Sequence, residues 1–120
     1  MLDFVYMPLD VNKMQQAAKY IVGEHDFKSF CSARTQVLTT VRTIYSLEVK
    51  KSDDIISIRI SGNGFLYNMV RIIVGTLVDV GLGKIEPNEI PKIIKEGKRE
   101  NAGKTLPPNG LFLVDVKYDN

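Results

Sequence analysis

Residues 62–77 read Gly62-Asn63-Gly64-Phe65-Leu66-Tyr67-Asn68-Met69-Val70-Arg71-Ile72-Ile73-Val74-Gly75-Thr76-Leu77, and this stretch decides the fold. Two glycines around an asparagine interrupt the chain. The most apolar run of the sequence follows, and its spacing predicts a helix from Phe65 to about Val80, stopped by Gly81-Leu82-Gly83. A helix this apolar on nearly every side belongs inside a core. On its wheel Asn68, Arg71, Gly75 and Asp79 fall on one narrow stripe.

Upstream, Val41, Thr43, Tyr45, Leu47 and Val49 alternate with Arg42, Ile44, Ser46 and Glu48, and residues 55–61 repeat the strand character after Ser52-Asp53-Asp54. Together they predict a β-hairpin. Residues 24–39 predict a loop, with Phe27 and Phe30 pinning it through one helical turn. Asp10 is a helix N-cap, Val11, Met14, Ala17, Ala18, Ile21 and Val22 follow at helical spacing, and Gly23 is the stop. Residues 3–8, ending at Pro8, predict a short strand.

Downstream, Pro87–Glu96 predicts an amphipathic helix using Ile90, Ile93 and Ile94, although Pro91 weakens its start. Residues 95–104 form a polar loop, Pro107-Pro108-Asn109-Gly110 a turn, and Leu111–Tyr118 a closing strand. The order β–α–β–β–α–α–β, with hairpin-joined strands and clustered helices, predicts one α+β domain over residues 1–120: an antiparallel sheet with helices packed on one face.

A chain of 120 residues, 44% hydrophobic and 25% charged, suits one globular domain rather than a disordered tail or coiled coil. Sixteen Lys and Arg against fourteen Asp and Glu leave +2, too little to prove a polyanionic partner. Cys31 is alone, so no intrachain disulfide or cysteine metal cluster can form. The start of the chain lacks the basic region of a secretory signal, and no apolar run reaches membrane-spanning length. A cytoplasmic location without membrane contact is the expectation.

An arginine inside an apolar helix needs an acidic or phosphate partner, or must emerge at a cleft. For Arg71 the alternatives are a structural pairing with a carboxylate such as Asp79, snorkelling to water, or a functional role. Gly75 either meets something that approaches closely or merely permits helix packing. Gly62-Asn63-Gly64 either offers backbone N–H groups to a phosphate or is a plain strand-to-helix turn; it matches neither the P-loop nor the dinucleotide fingerprint. Lys92, Lys95, Lys98, Arg99 and Lys104, set against Glu96 and Glu100, form either an RNA-contacting strip or a solvated surface. His25, the single histidine, suits a hydrogen bond in a loop, Cys31 suits packing, and Asp53 and Asp54 suit a hairpin turn.

Three ordered segments resemble the tRNA pseudouridine synthase A family: His25-Asp26-Phe27-Lys28-Ser29-Phe30, the stretch from Gly62 to Leu77, and Ala102-Gly103-Lys104-Thr105 through Gly110-Leu111-Phe112-Leu113-Val114. Pro8-Leu9-Asp10, Met14 and Ala17-Ala18-Lys19-Tyr20 are similar to that family's entry into its C-terminal domain. The resemblance implies isomerisation of uridine to pseudouridine in the anticodon arm of tRNA, with no metal or organic cofactor, by a homodimer whose clefts lie between two domains of each subunit. It places Arg71 as the basic residue that pairs with the catalytic aspartate and Leu111 as an apolar wall near the target base. Asn63, Asn68, Lys98, Arg99 and Lys104 are the candidate RNA contacts. The family's nucleophile sits in an Arg-Thr-Asp-x-Gly motif, whereas here Arg34-Thr35 precedes Gln36 and Arg42-Thr43 precedes Ile44. The expectation is therefore a C-terminal domain, inactive alone, whose partner is the missing N-terminal domain. A noncatalytic RNA-binding module and a dimerisation domain are the alternatives: the first binds tRNA in a salt-dependent way without turnover, the second self-associates without tRNA affinity.

Overall fold

The computed structural model describes residues 2–5, 9–31, 38–52, 55–66, 68–105 and 116–118. Its elements are β1 (Leu2–Val5), α1 (Val11–Ile21), β2 (Gly23–Asp26), β3 (Val41–Ser52), β4 (Ile55–Gly62), α2 (Met69–Gly81), α3 (Ile90–Glu96) and β5 (Val116–Tyr118). The β3–β4 hairpin forms the centre of a five-stranded sheet in the order β1-β4-β3-β2. Along the outer edge of β4 two strands lie end to end: β1 pairs antiparallel with residues 55–58, and β5 pairs parallel with residues 60–62. All the other pairings are antiparallel.

The hairpin carries a β-bulge that simple alternation does not anticipate. Ile44 stands opposite Gly62 and Ser46 opposite Ser61, so Tyr45 is an extra residue on β3. Because side chains alternate with period two, one extra residue reverses the faces of everything before it. The inward set is therefore Ile44, Leu47 and Val49, with Ile44 1% exposed, while Val41 and Tyr45 are 41% and 46% exposed.

Ile56, Ile58 and Ile60 of β4 join that inward face, and the helices cover it with Met14, Ala17, Ala18 and Ile21 from α1 and Met69, Ile72, Ile73 and Leu77 from α2. The opposite face carries Glu48, Lys50 and Arg59, with the Ser46 and Ser61 hydroxyls bonded to each other at 2.7 Å. This is the α+β arrangement, with helices packed on one face of the sheet.

Asp10 caps α1 as its position predicts, accepting from the Lys13 backbone N–H at 3.0 Å. The loop anticipated over 24–39 instead begins with β2, which forms because its backbone finds the edge of β3, from Gly23 opposite Ile44 to Asp26 opposite Val41. His25 Nε2 donates to the Val22 carbonyl at 3.0 Å. A 3-10 turn over Lys28–Phe30 follows, with Phe27 and Phe30 fully buried and the Ser29 hydroxyl donating to Ile93 O at 2.7 Å. Cys31 is buried, a packing residue.

The helix anticipated from Phe65 starts four residues later, at Met69, because Asn68 adopts a left-handed conformation that no helix continues through (φ 62°, ψ 3°). Pro87–Glu89 is a 3-10 turn leading into α3, which accommodates Pro91 in its first turn. The polar loop contains a further 3-10 turn at Arg99–Asn101. The turns at Asp53-Asp54 and Pro107–Gly110 lie outside the described residues, as do residues 6–8 and 111–115 of the two predicted terminal strands. No helix among the described residues is long and apolar enough to cross a membrane.

Candidate active-site arginine and its surroundings

Gly62-Asn63-Gly64 closes the hairpin. A Cβ on Gly62 would stand 2.7 Å from Thr43 O, so only glycine fits there. Asn63 extends the ladder by one pseudo-rung: its backbone N–H donates to Thr43 O at 3.0 Å and its Oδ1 accepts from Thr43 N at 2.9 Å. The first turn of α2 begins only at Met69, so this segment is a strand-exit turn and not the N-terminus of the helix.

Arg71 sits in the first turn of α2, half-buried, between the fully buried Met69 and Ile72. Its Nη2 donates to Asn68 Oδ1. Among the described residues no carboxylate forms an ion pair with it; the ion pairs there join Lys13 to Glu86, Lys50 to Glu48 and Lys92 to Glu96. The structural pairing with Asp79 does not occur. Asp79 lies two turns further along α2, where its backbone carbonyl accepts from Lys84 N at 2.9 Å.

One turn beyond Arg71 on the same stripe, Gly75 receives the backbone of another segment. A Cβ there would lie 1.8 Å from Lys104 O, and a Cβ on Gly103 would lie 2.6 Å from Thr76 N and Cα. Both glycines are therefore required by a backbone-to-backbone crossing. Thr76, fully buried, locks it: its hydroxyl donates to Ile72 O and accepts from Gly103 N, each at 2.8 Å. Arg99 Nη2 donates to Thr105 Oγ1 at 3.1 Å, holding the far end of the same segment. Residues 103–105 are thereby fixed along the helix face that carries Arg71; Leu111 lies outside the described residues.

Of the candidate contacts, the structure joins Asn68 to Arg71 and lays Lys104 against Gly75, one turn away. Asn63 is tied to β3, Arg99 is partly engaged with Thr105, and Lys98 and Lys104 are exposed with no ion pair among the described residues. The role of Thr76 has no signature in the sequence, since its bond to Gly103 spans twenty-seven residues. A shallow depression of about 210 Å³ lies between Lys84–Ile85 and α3. It excludes Arg71, and its Glu96 carboxylate pairs with Lys92 and accepts from Asn101 Nδ2.

Fold and site together define a helix-backed α+β domain that presents a half-buried arginine with no acid of its own among the described residues. The tRNA pseudouridine synthase family profile matches residues 17–119, and the chain belongs to that family. It is 59% identical over 116 residues to tRNA pseudouridine synthase A of Brevibacillus brevis, 56% over 110 to that of Caldicellulosiruptor bescii and 53% over 112 to that of Bacillus subtilis. These alignments cover 97%, 92% and 93% of this chain but 48%, 45% and 45% of the relatives. The chain spans about half the length of the curated relatives it matches.

Proposed function

We propose that this chain is the C-terminal half of a tRNA pseudouridine synthase, which converts uridine in the tRNA anticodon arm to pseudouridine within a cytoplasmic homodimer. The observation that carries this reading is the Arg71 guanidinium, held at the start of a buried helix with the neutral Asn68 amide as its one partner among the described residues. Arginine binds a carboxylate through two parallel charged hydrogen bonds, and its charge favours the ionised form of that acid. In this reading an aspartate from polypeptide outside the chain docks on Arg71 and is kept ionised as the nucleophile. Leu111 forms the dry wall that receives the target base once it has left its stack. Exposed Lys98 and Lys104, with Arg99 and Asn63, contact the RNA, whereas Asn68 is engaged with Arg71.

Converting uridine to pseudouridine moves the sugar from N1 to C5, so the hydrogen on C5 must leave. Tritium release from tRNA carrying 5-tritiated uridine therefore follows turnover. The purified chain is expected to release none, and the chain mixed with the half of the Brevibacillus brevis enzyme that it does not cover is expected to release tritium. Turnover by the chain alone would refute the missing-nucleophile account.

A further inference from the structure

Asn68 is the one non-glycine residue with positive φ among the described residues. It occupies the N-cap position of α2, where asparagine ordinarily bonds a first-turn N–H, yet its side chain makes no capping bond. Its Oδ1 accepts from Arg71 Nη2 instead. Few residue types serve here. Glycine accepts the left-handed backbone but brings no acceptor, and aspartate brings a carboxylate that would neutralise the guanidinium as an internal pair. Asparagine combines the backbone with a neutral acceptor, which orients an arginine and leaves its charge unanswered. The contact occupies one N–H of Nη2, and among the described residues the remaining donors of the planar fork stay available for a second, charged partner.

We infer that Asn68 is a positioning residue, which holds the Arg71 guanidinium aimed and unneutralised for a carboxylate that arrives from outside the chain. The inference rests on the reading of Arg71 given above. It assigns a cause to the left-handed residue: the αL turn swings the amide away from the helix end and onto the side chain three positions later.

Two measurements test it. In the first, on the chain itself, ¹⁵N-resolved NMR of the Arg71 guanidinium compares wild type with Asn68→Gly, which keeps the backbone and removes the acceptor. Slow rotation about the guanidinium bonds in wild type, lost in the variant, is the expected result; equal averaging in both overturns the inference. In the second, tritium release is measured with the completing half of the Brevibacillus brevis enzyme. Asn68→Gly should lower kcat about tenfold, the scale of one lost hydrogen bond to a charged group, with KM for tRNA within about twofold. Asn68→Asp should lower kcat further while raising Tm, because an acid at a helix N-terminus beside Arg71 stabilises the fold as it blocks the fork. Activity and stability moving together, or full turnover by Asn68→Asp, overturns it. If the wild-type mixture shows no turnover, the reading of Arg71 fails, and the NMR comparison still decides whether Asn68 orients the side chain.

Discussion

Replacing Gly75 by alanine places a methyl group 1.8 Å from Lys104 O. Cβ atoms essentially never approach closer than 3.0 Å, so the 103–105 segment must retreat by about 1.2 Å, which stretches the 2.8 Å Gly103 N–H bond to Thr76 toward 4 Å. A buried N–H left without a partner costs about 1–3 kcal/mol, and the displaced packing adds about 1 kcal/mol. Against this, alanine is favoured over glycine inside a helix by about 1 kcal/mol. The net expectation for Gly75→Ala is roughly 1–3 kcal/mol of destabilisation, a fall in Tm of about 5–15 °C for a domain of this size. Circular dichroism melts give the Tm, and hydrogen exchange at the Gly103 amide should lose its protection in parallel. A Tm that rises would show that helix propensity dominates and that the crossing does not exist as described.

Thr76→Val removes the acceptor for Gly103 N–H and should destabilise by about 1–3 kcal/mol, whereas Thr76→Ser, which keeps it, should retain most of the stability in urea unfolding. The bulge makes opposite forecasts for neighbours: Ile44→Ala should cost about 2–5 kcal/mol by urea unfolding, and Tyr45→Ala less than about 1 kcal/mol. Under the proposed function, Lys98→Ala and Lys104→Ala should each weaken tRNA binding and reduce the slope of log affinity against log salt by about 0.7–0.9, read by filter binding across a salt series.

The parts of the fold visible in the sequence are those set by local chemistry. Asp10 as a cap, the hairpin and the apolar helix follow from patterns within about twenty residues. The parts that escaped depend on distant partners. β2 has no strand pattern of its own and exists because β3 offers an edge. The phase reversal at Tyr45 is invisible to alternation because Ile44 and Tyr45 are both apolar enough to face inward, and only the register with Gly62 and Ser61 decides between them. Gly75, costly inside a helix, left a close approach and plain helix packing as alternatives, and the backbone of Lys104 as the approaching group came from the tertiary structure. Arg71 was conspicuous from its apolar surroundings. Its nearness to Asn68 was visible in their shared stripe, but the left-handed turn at Asn68, which ends what reads as continuous helix, was not.

Under the proposed function, the Arg71 guanidinium must find its acid outside this chain. A crystal structure of this chain bound to the complementary half of a relative measures that distance directly. The prediction is an aspartate of the other polypeptide with both carboxylate oxygens about 2.7–2.9 Å from Arg71 nitrogens, with the Asn68 contact retained. A carboxylate of this same chain in that place, or a guanidinium facing bulk water in the complex, would contradict it.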